Sequence, residues 1–388
     1  MAGEPISPLT VVVTGLGMVS SLGPNAVSSC AAARAGISRA GPLEEANVYE
    51  EESGELVPIA GHCTTVTSGF SGLGRAVRLG QKAIQDLMSG AGAARADLAS
   101  LAVLCAVPGG YYWCERYRQD LQPVAGCLPF DPEAAINFEN SKRQEEFRAS
   151  LVPRLSTVSP IPLNASLSRL YFGEQAAMAM ALKDAVAYLE SGKLPACLVG
   201  GIDSFVDPAT LPALSNLGVI KTPVTATGFV PGEAAGFILL ETYEHALRSG
   251  AAIQAIVERP SVQREDIHRF SEIPVGGRAL AAAISRTVEP YCGNGSSPGL
   301  LIGNLNGDTW RAREWGTALV RLPACLRTAP LWTPVESFGE VGAASGAVAA
   351  CLGVRAFQRG YARTRIIVVW LSGDDGGKGS FLLRHFSN

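Results

Sequence analysis

Residues 173–178 read GEQAAM, and residues 196–201 read ACLVGG. The first stretch opens an alanine-rich run that predicts a helix from about residue 173 to residue 191, and the second predicts a short buried strand. Alanine-rich faces let helices approach closely, so we expect this helix to be buried between two sheets. A sharp turn, a buried helix and a strand that closes on paired glycines therefore form the centre of the predicted fold.

Helix and strand patterns alternate along the rest of the chain, which favours sheets joined by crossover helices. The predicted strands include 9–13, 101–107 and 299–303, and the predicted helices include 75–89, 278–289, 310–320 and 339–357. The segment 108–154 differs from this pattern because it is polar and rich in Tyr, Trp, Arg and Glu. It is also broken by prolines, among them Pro123, Pro129, Pro132 and Pro153. We interpret it as an insertion or cap rather than a core element.

The composition is that of a large, well-buried α/β protein. The chain has 388 residues, of which 47% are hydrophobic and 17% charged. This length exceeds what one simple core needs, so we expect two or more packed lobes. The formal net charge of −3 argues against a nucleic-acid partner or an anionic membrane surface.

Neither a metal nor a cofactor is predicted. Nine cysteines are scattered without a Cys-x-x-Cys pair, and the four histidines lack the spacing of metal ligands. Free thiols in a reducing compartment are the simplest interpretation. The Gly-x-Gly at residues 15–17 lacks the third glycine and the adjoining helix of a dinucleotide loop. Neither a secretory leader nor an apolar run of about 18 residues is found, so we expect a cytoplasmic protein without a membrane span.

Three stretches resemble the β-ketoacyl synthases, which belong to the thiolase-like superfamily. They are VVVTGLGMVSSLG at 11–23, the turn, helix and strand at 173–201, and GFVPGEAAG at 228–236. The resemblance implies a five-layer α-β-α-β-α sandwich built from two similar halves. We place the halves at 1–250, with the insertion or cap at 108–154, and at 251–388. The resemblance also implies a homodimer paired through the strand before the turn, near residues 165–172.

The resemblance implies four positions for the family's catalytic residues. The nucleophilic cysteine corresponds to Gln175, which lies 25 residues before Gly200. The two histidines correspond to Asn306, in NLNGDT at 304–309, and to Glu340, in GEVGAASGA at 339–347. The lysine corresponds to Val335. Residues that could line a remaining pocket are Asp308, Phe229, Gly376 and Gly377.

None of these side chains can replace the chemistry that the family uses. The amide of Gln175 cannot carry an acyl thioester. Asn306 cannot exchange a proton near neutral pH, and the carboxylate of Glu340 would repel a developing enolate. A positioned acid–base group contributes about 10²–10⁴ in rate, and the loss of the nucleophile removes the covalent route altogether. We therefore expect negligible synthase activity.

Several interpretations stay open at the level of the sequence. Gln175 is either a structural residue or a pocket amide that binds a ligand carbonyl. Glu340 and Asp308 either form a new acid–base pair or cap helices and meet arginines such as Arg311 or Arg313. Cys105 lies in a buried strand pattern, which disfavours it as a displaced nucleophile. The aromatic stretch at 111–117 is either a partner-binding surface or a plain cap over the mouth of a pocket.

Three functions are compatible with these patterns. The first, which we favour, is a non-catalytic scaffold, adaptor or partner subunit for an active synthase subunit, an acyl carrier protein or a secreted effector. The second is a chain-length-factor-like subunit of a polyketide or fatty-acid synthase. The resemblance supports it because such subunits carry glutamine at the position of Gln175. The third is an acyltransferase with unorthodox active-site residues.

Overall fold

Ten strands form one continuous sheet in the computed structural model, which describes residues 6–50, 54–90, 98, 100–122, 131–223, 225–292 and 298–387. Pro123, Cys127 and Pro129 lie outside the described residues. The strands are β1 Val11–Ser20, β2 Gly41–Glu50, β3 Glu55–Gly61, β4 Ala102–Pro108, β5 Arg169–Gly173, β6 Ala196–Ser204, β7 Glu233–Thr242, β8 Ala255–Arg264, β9 Leu300–Gly303, β10 Leu331–Trp332, β11 Ile366–Ser372 and β12 Gly377–Arg384. The helices are α1 Ala26–Arg34, α2 Gly72–Gly90, α3 Tyr111–Leu121, α4 Pro132–Val158, α5 Ala177–Glu190, α6 Leu211–Asn216, α7 Tyr243–Ser249, α8 Arg278–Val288, α9 Thr309–Leu319, α10 Ala324–Arg327, α11 Val335–Phe338 and α12 Ser345–Gln358.

The sheet consists of two five-stranded halves with the same topology. The strand order is β10-β9-β11-β12-β8-β1-β7-β6-β4-β5, and only two residue pairs join β8 to β1 in the middle. In the first half β4 runs parallel to β5 and β6, and β7 runs antiparallel to β6 and β1. In the second half β9, β10, β11, β12 and β8 repeat these relations. We propose residue 250, between α7 and β8, as the boundary.

The helices α5 and α12 form the central layer between the two halves of the sheet. Helix α5 packs on β4, β6, β8 and β12, and α12 packs on β6, β7 and β11. A β-carbon at Gly346 of α12 would come within 2.5 Å of the Met178 side chain of α5, so only glycine permits this approach. The predicted burial of the alanine-rich helix between two sheets is therefore confirmed. Helices α2 and α4 cover the first half from outside, and α8 and α9 cover the second.

The central helix begins later than the sequence predicted. Residues 174–176 form the turn, and α5 starts at Ala177 rather than near Gly173. The reason is that Gly173 still pairs with Pro108 at the end of the β4–β5 ladder. The segment predicted to precede the turn, 165–172, contains β5 as an edge strand of the ten-stranded sheet.

The first strand is also longer than predicted. It runs to Ser20 as one element, with an irregularity between Val13 and Gly15 in its pairing with β7. The intervening Thr14 donates its hydroxyl hydrogen bond to the buried carboxylate of Glu241. This local bulge lets the strand continue through the glycines that suggested a turn.

Pro153 does not end the helix that contains it, contrary to the prediction that prolines break this segment. Helix α4 runs through it, and the Thr157 hydroxyl donates a hydrogen bond of 3.1 Å to the Pro153 carbonyl oxygen. A proline inside a helix costs about 3 kcal/mol. Leu151, Val152 and Leu155 are buried in the outer core of the first half, and their burial offsets this cost. The end of this segment is therefore core rather than cap.

Candidate functional site at the entrance to the central helices

Gln175 lies in the turn between β5 and α5, and its side chain is completely buried. Among the described residues, neither its Oε1 nor its Nε2 atom has a hydrogen-bond partner. A buried amide without partners costs about 1–3 kcal/mol, so this residue destabilises the fold. The amide offers no nucleophile.

Asn306 and Glu340, which are distant in sequence, meet directly. The Asn306 Nδ2 atom donates a hydrogen bond of 2.7 Å to Glu340 Oε2. The second oxygen, Oε1, accepts hydrogen bonds from the Gly342 backbone N–H at 3.1 Å and from the Ser345 hydroxyl at 3.4 Å. Glu340 is fully buried. Both oxygens of its carboxylate accept hydrogen bonds from the described residues, as a buried charged group requires.

Five charged residues form a buried network around this contact, which we call the Arg311 cluster: Arg269, Asp308, Arg311, Glu340 and Asp374. Arg311 donates to Glu340 Oε2 at 2.6 Å and also pairs with Asp374. Arg269 pairs with Asp308, and its Nε atom lies 3.9 Å from Asp374. Burial opposes ionisation of Asp374, but Arg311 and Arg269 outweigh it and lower the pKa of that carboxyl.

Glu340 and Asp308 have structural partners rather than the geometry of an acid–base pair. Asp308 caps α9, because its carboxylate accepts the Trp310 backbone N–H at 2.7 Å. Glu340 is bound by Arg311, one of the two arginines that the sequence suggested. Removal of one partner from a buried ion pair costs about 3–5 kcal/mol, so each charge in the cluster depends on its partner.

The other residues predicted from the sequence lie in three separate segments. Val335 begins the short helix α11 and is half-buried. Phe229 lies in an aromatic group, with its ring centroid 5.7 Å from Phe205 and 6.3 Å from Tyr112. Gly376 and Gly377 form the turn between β11 and β12, where the φ angle of +91° at Gly376 requires a residue without a β-carbon. That turn places Asp374 in the Arg311 cluster.

The described residues place no cysteine in the β5–α5 turn. Cys105 is buried inside β4, and burial raises the pKa of its thiol, which therefore stays protonated.

Two histidines that the sequence did not single out lie close to the site. His62 packs beside Gly339, where a β-carbon would come within 2.8 Å of the imidazole, and burial lowers the pKa of His62 to about 4. His268 Nδ1 lies 3.0 Å from the Tyr111 hydroxyl.

A cavity of about 410 Å³ opens next to the turn. Its wall includes Glu174 and Asp203, but not Gln175. Asp203 accepts the backbone N–H groups of Ser204 at 2.7 Å and Ala343 at 2.8 Å, and burial raises its pKa to about 7. Burial, together with the neighbouring Asp203, raises the pKa of Glu174 well above its ordinary value. The aromatic stretch at 111–117, predicted to be either a partner-binding surface or a cap over the mouth of a pocket, supplies Tyr111, Tyr112 and Trp113 to this wall. The rest of the wall comes from distant elements, which local patterns do not predict.

Comparison with known proteins finds similarity to one family. The family model described as "Beta-ketoacyl synthase, N-terminal domain" matches residues 174–246, which include the β5–α5 turn. The mitochondrial 3-oxoacyl-[acyl-carrier-protein] synthase of Arabidopsis thaliana is 28% identical over 123 residues, which cover 28% of this chain and 26% of that protein. The chain is therefore similar to the β-ketoacyl synthases over part of its length. A 3-oxoacyl-[acyl-carrier-protein] synthase 2 of Mycobacterium tuberculosis (strain ATCC 25618 / H37Rv) is 27% identical over 188 residues, or 43% of each chain. The similarity thus spans less than half the length of these two relatives.

Solved ketosynthase structures share the fold of this β-ketoacyl synthase relative. A ketosynthase in complex with a type II polyketide synthase acyl-carrier protein superposes with a TM-score of 0.73 at 17% identity, covering 98% of this chain and 100% of that one. The ishigamide ketosynthase/chain length factor superposes with a TM-score of 0.71 at 20% identity, covering 97% and 99%. The thiolase-like fold predicted from the sequence is therefore confirmed. Among the described residues, no helix is both long and apolar enough to cross a membrane.

Proposed function

We propose that this β-ketoacyl synthase relative is not a catalyst and acts as a scaffold, adaptor or partner subunit. The observation that carries the proposal is the Arg311 cluster. Arg311 binds Glu340 and Asp374 at once, and it is only 1% exposed. The position that the resemblance equates with a catalytic histidine thus holds a carboxylate that is engaged in a buried ion pair.

The other equated positions support the same conclusion. Gln175 offers an amide instead of a thiol, Asn306 offers an amide instead of an imidazole, and Val335 is apolar. An acid–base group contributes about 10²–10⁴ in rate and an oxyanion donor about 10²–10³, so their combined replacement leaves no efficient route to condensation.

The test is acyl transfer by the purified chain. It is incubated with labelled acyl thioesters and an acyl carrier protein, and intact-mass spectrometry records any covalent adduct. We expect no adduct and no transfer above the protein-free blank. Transfer that the Gln175→Ala variant abolishes would overturn the proposal and support an acyltransferase with unorthodox residues.

We propose that the chain forms a homodimer through β5. The supporting observation is that β5 is the edge strand of the first half, so its outer edge is not paired within the described sheet. Light scattering after size-exclusion chromatography should give twice the mass of one chain. A proline at Leu170 should shift the species to the monomer, whereas a stable monomer of the unmodified chain would contradict this assembly.

We propose three kinds of partner: an active synthase subunit, an acyl carrier protein or an effector. We also propose that the complex forms in the cytoplasm. One similar structure is a ketosynthase in complex with an acyl-carrier protein, which supports the second of these partners. Purification from the host with mass spectrometry of bound proteins would identify the partner.

A chain-length-factor-like subunit is the second candidate. Gln175 and the similarity to the ishigamide ketosynthase/chain length factor favour it. This role requires a heterodimer with an active ketosynthase, so co-expression with an active ketosynthase of the same host should yield a mixed dimer. If the two chains form only separate homodimers, this candidate fails and the scaffold role is retained.

A further inference from the structure

We propose that the cavity beside the β5–α5 turn binds a small amphiphile with an ammonium head and an apolar tail. The head would lie against Glu174, and the tail would lie along the apolar wall. This proposal does not depend on whether the chain is catalytic, since neither Gln175 nor any member of the Arg311 cluster lines the cavity.

The wall of the cavity is mostly apolar. Its volume of about 410 Å³ lies within the range of small-molecule sites, which are apolar clefts with a few polar groups. Helices α2, α3 and α4, strand β5 and the residue that follows β6 supply apolar side chains. They include Leu73, Leu79, Trp113, Phe147, Phe172 and Phe205. A tail of several methylene groups would lose its contact with water on this surface.

Glu174 is one of the buried polar groups that line the cavity, with Asp203, Asp207 and Arg75. It is only 3% exposed, and its Oε1 atom accepts the Tyr111 backbone N–H at 3.2 Å. Among the described residues, the other oxygen, Oε2, receives no hydrogen bond. A carboxyl group with an unused oxygen in an apolar wall can bind a donor of a ligand.

The charges around Glu174 select the sign of the ligand. Asp203 lies in the same wall, and Asp374 and Asp375 also act on Glu174 through space. The cations nearby have other partners: Arg75 is paired with Glu233 at 2.7 Å, and the Arg143 guanidinium lies 4.2 Å from the centre of the Trp113 ring. Because burial and these neighbours keep a proton on Glu174, an amine head can take up that proton and pair with the resulting carboxylate, whereas a carboxylate head would add a further anion beside Asp203.

Octylamine, 1-octanol and octanoate test the proposal, because they share one tail and differ in the head. Trp113 lies in the wall, so its fluorescence should report occupancy, and the Trp113→Phe variant should lose that signal. A hydrogen bond to a charged group is worth about 1.5–3 kcal/mol, so octylamine should bind at least about tenfold more tightly than octanoate.

The Glu174→Gln variant keeps the shape of the side chain and removes the acidic proton, so the side chain cannot form an ion pair with an amine. It should weaken octylamine binding at least about tenfold and change 1-octanol binding less than about twofold. The matched control is Glu146→Gln, the same change at an exposed position on the rim of the cavity, which should leave all three affinities unchanged. Octanoate binding as tight as octylamine binding, or an unchanged amine affinity in Glu174→Gln, would overturn the proposal.

An independent observation points to a redox-sensitive cysteine pair in the second half. The Sγ atoms of Cys292, just after α8, and Cys325, in α10, lie 3.1 Å apart. Both side chains are half-buried, so a small oxidant can reach them. We infer that these two cysteines form a reversible disulfide. By exchange with a low-molecular-weight disulfide, the two thiols lose two protons and two electrons to form one S–S bond, and the oxidant leaves as two thiols.

Oxidised glutathione and the native chain provide the test. Thiol titration should show the loss of two free thiols, and a peptide map should link Cys292 to Cys325 with a mass decrease of about 2 Da, reversed by dithiothreitol. The Cys292→Ser variant should lose this product, and the control Cys114→Ser, another half-buried cysteine, should retain it. Oxidised chain that carries glutathione on Cys325 without the cross-link would overturn the inference.

Discussion

The turns that precede the two central helices each bury a polar residue, but only one of these residues has hydrogen-bond partners. Before α5, Gln175 is fully buried and has no hydrogen-bond partner among the described residues. Before α12, Glu340 is equally buried, but Asn306, Arg311, Gly342 and Ser345 all donate to it. The two halves share one topology, so the two turns occupy corresponding places but carry different side chains. The second turn is stabilised by its charges, while the first tolerates an unpaired amide.

The largest effect should come from the removal of Arg311. The Arg311→Met variant leaves Glu340 and Asp374 buried without their shared cation, so we expect a loss of about 3–5 kcal/mol in the free energy of unfolding. Urea denaturation measures it. Arg313→Met, on the exposed face of the same helix, should change the value by less than about 0.5 kcal/mol. If both variants are equally stable, the Arg311 cluster does not support the second turn.

Acid should weaken the second turn through His62. Burial lowers the pKa of His62 from about 6.5 to about 4, so the folded chain keeps the imidazole neutral while the unfolded chain takes up a proton. The stability contribution is therefore complete above about pH 6.5 and is lost as the pH falls to about 4, by about 3 kcal/mol.

The pH dependence of unfolding checks this prediction. The His62→Gln variant should show a shallower loss of stability over this window than the unmodified chain, and His385→Gln serves as the matched control. A slope that is unchanged in His62→Gln would contradict the assignment.

The first turn should respond with the opposite sign. The Gln175→Met variant replaces an unpaired amide by an apolar side chain of similar length, so we expect a gain of about 1–3 kcal/mol in the free energy of unfolding. In contrast, the Glu340→Gln variant should destabilise the chain, because it removes the charge that Arg311 requires. If Gln175→Met destabilises the chain, the Gln175 amide must have a hydrogen-bond partner, and the contrast between the two turns is wrong.

The smallest effect should come from restoring the nucleophile. The Gln175→Cys variant regains a thiol, but Asn306 and Glu340 still cannot exchange the proton that the family's histidines handle. We expect no condensation above the protein-free blank in an assay with acyl and malonyl thioesters. Condensation by this single variant would show that the second turn does not prevent catalysis.

The sequence predicted the framework well and the network poorly. The buried α5, the paired glycines after β6 and the alternation of elements follow from local periodicity. The start of α5 and the path through Pro153 were wrong, because the β4–β5 ladder and the burial of Leu151 and Leu155 depend on tertiary contacts. Arg269 and Asp374 join one cluster from distant parts of the chain, and no local spacing predicts an ion pair between such positions.

The release of carbon dioxide from a malonyl thioester is the sharpest test of whether the chain is a catalyst. Decarboxylation needs no nucleophile, but it does need the groups that Asn306 and Glu340 replace. We expect carbon dioxide to be released at the same rate with the purified chain as without protein. Protein-dependent release that is lost in both Gln175→Ala and Glu340→Gln, with each variant shown to be folded, would contradict it.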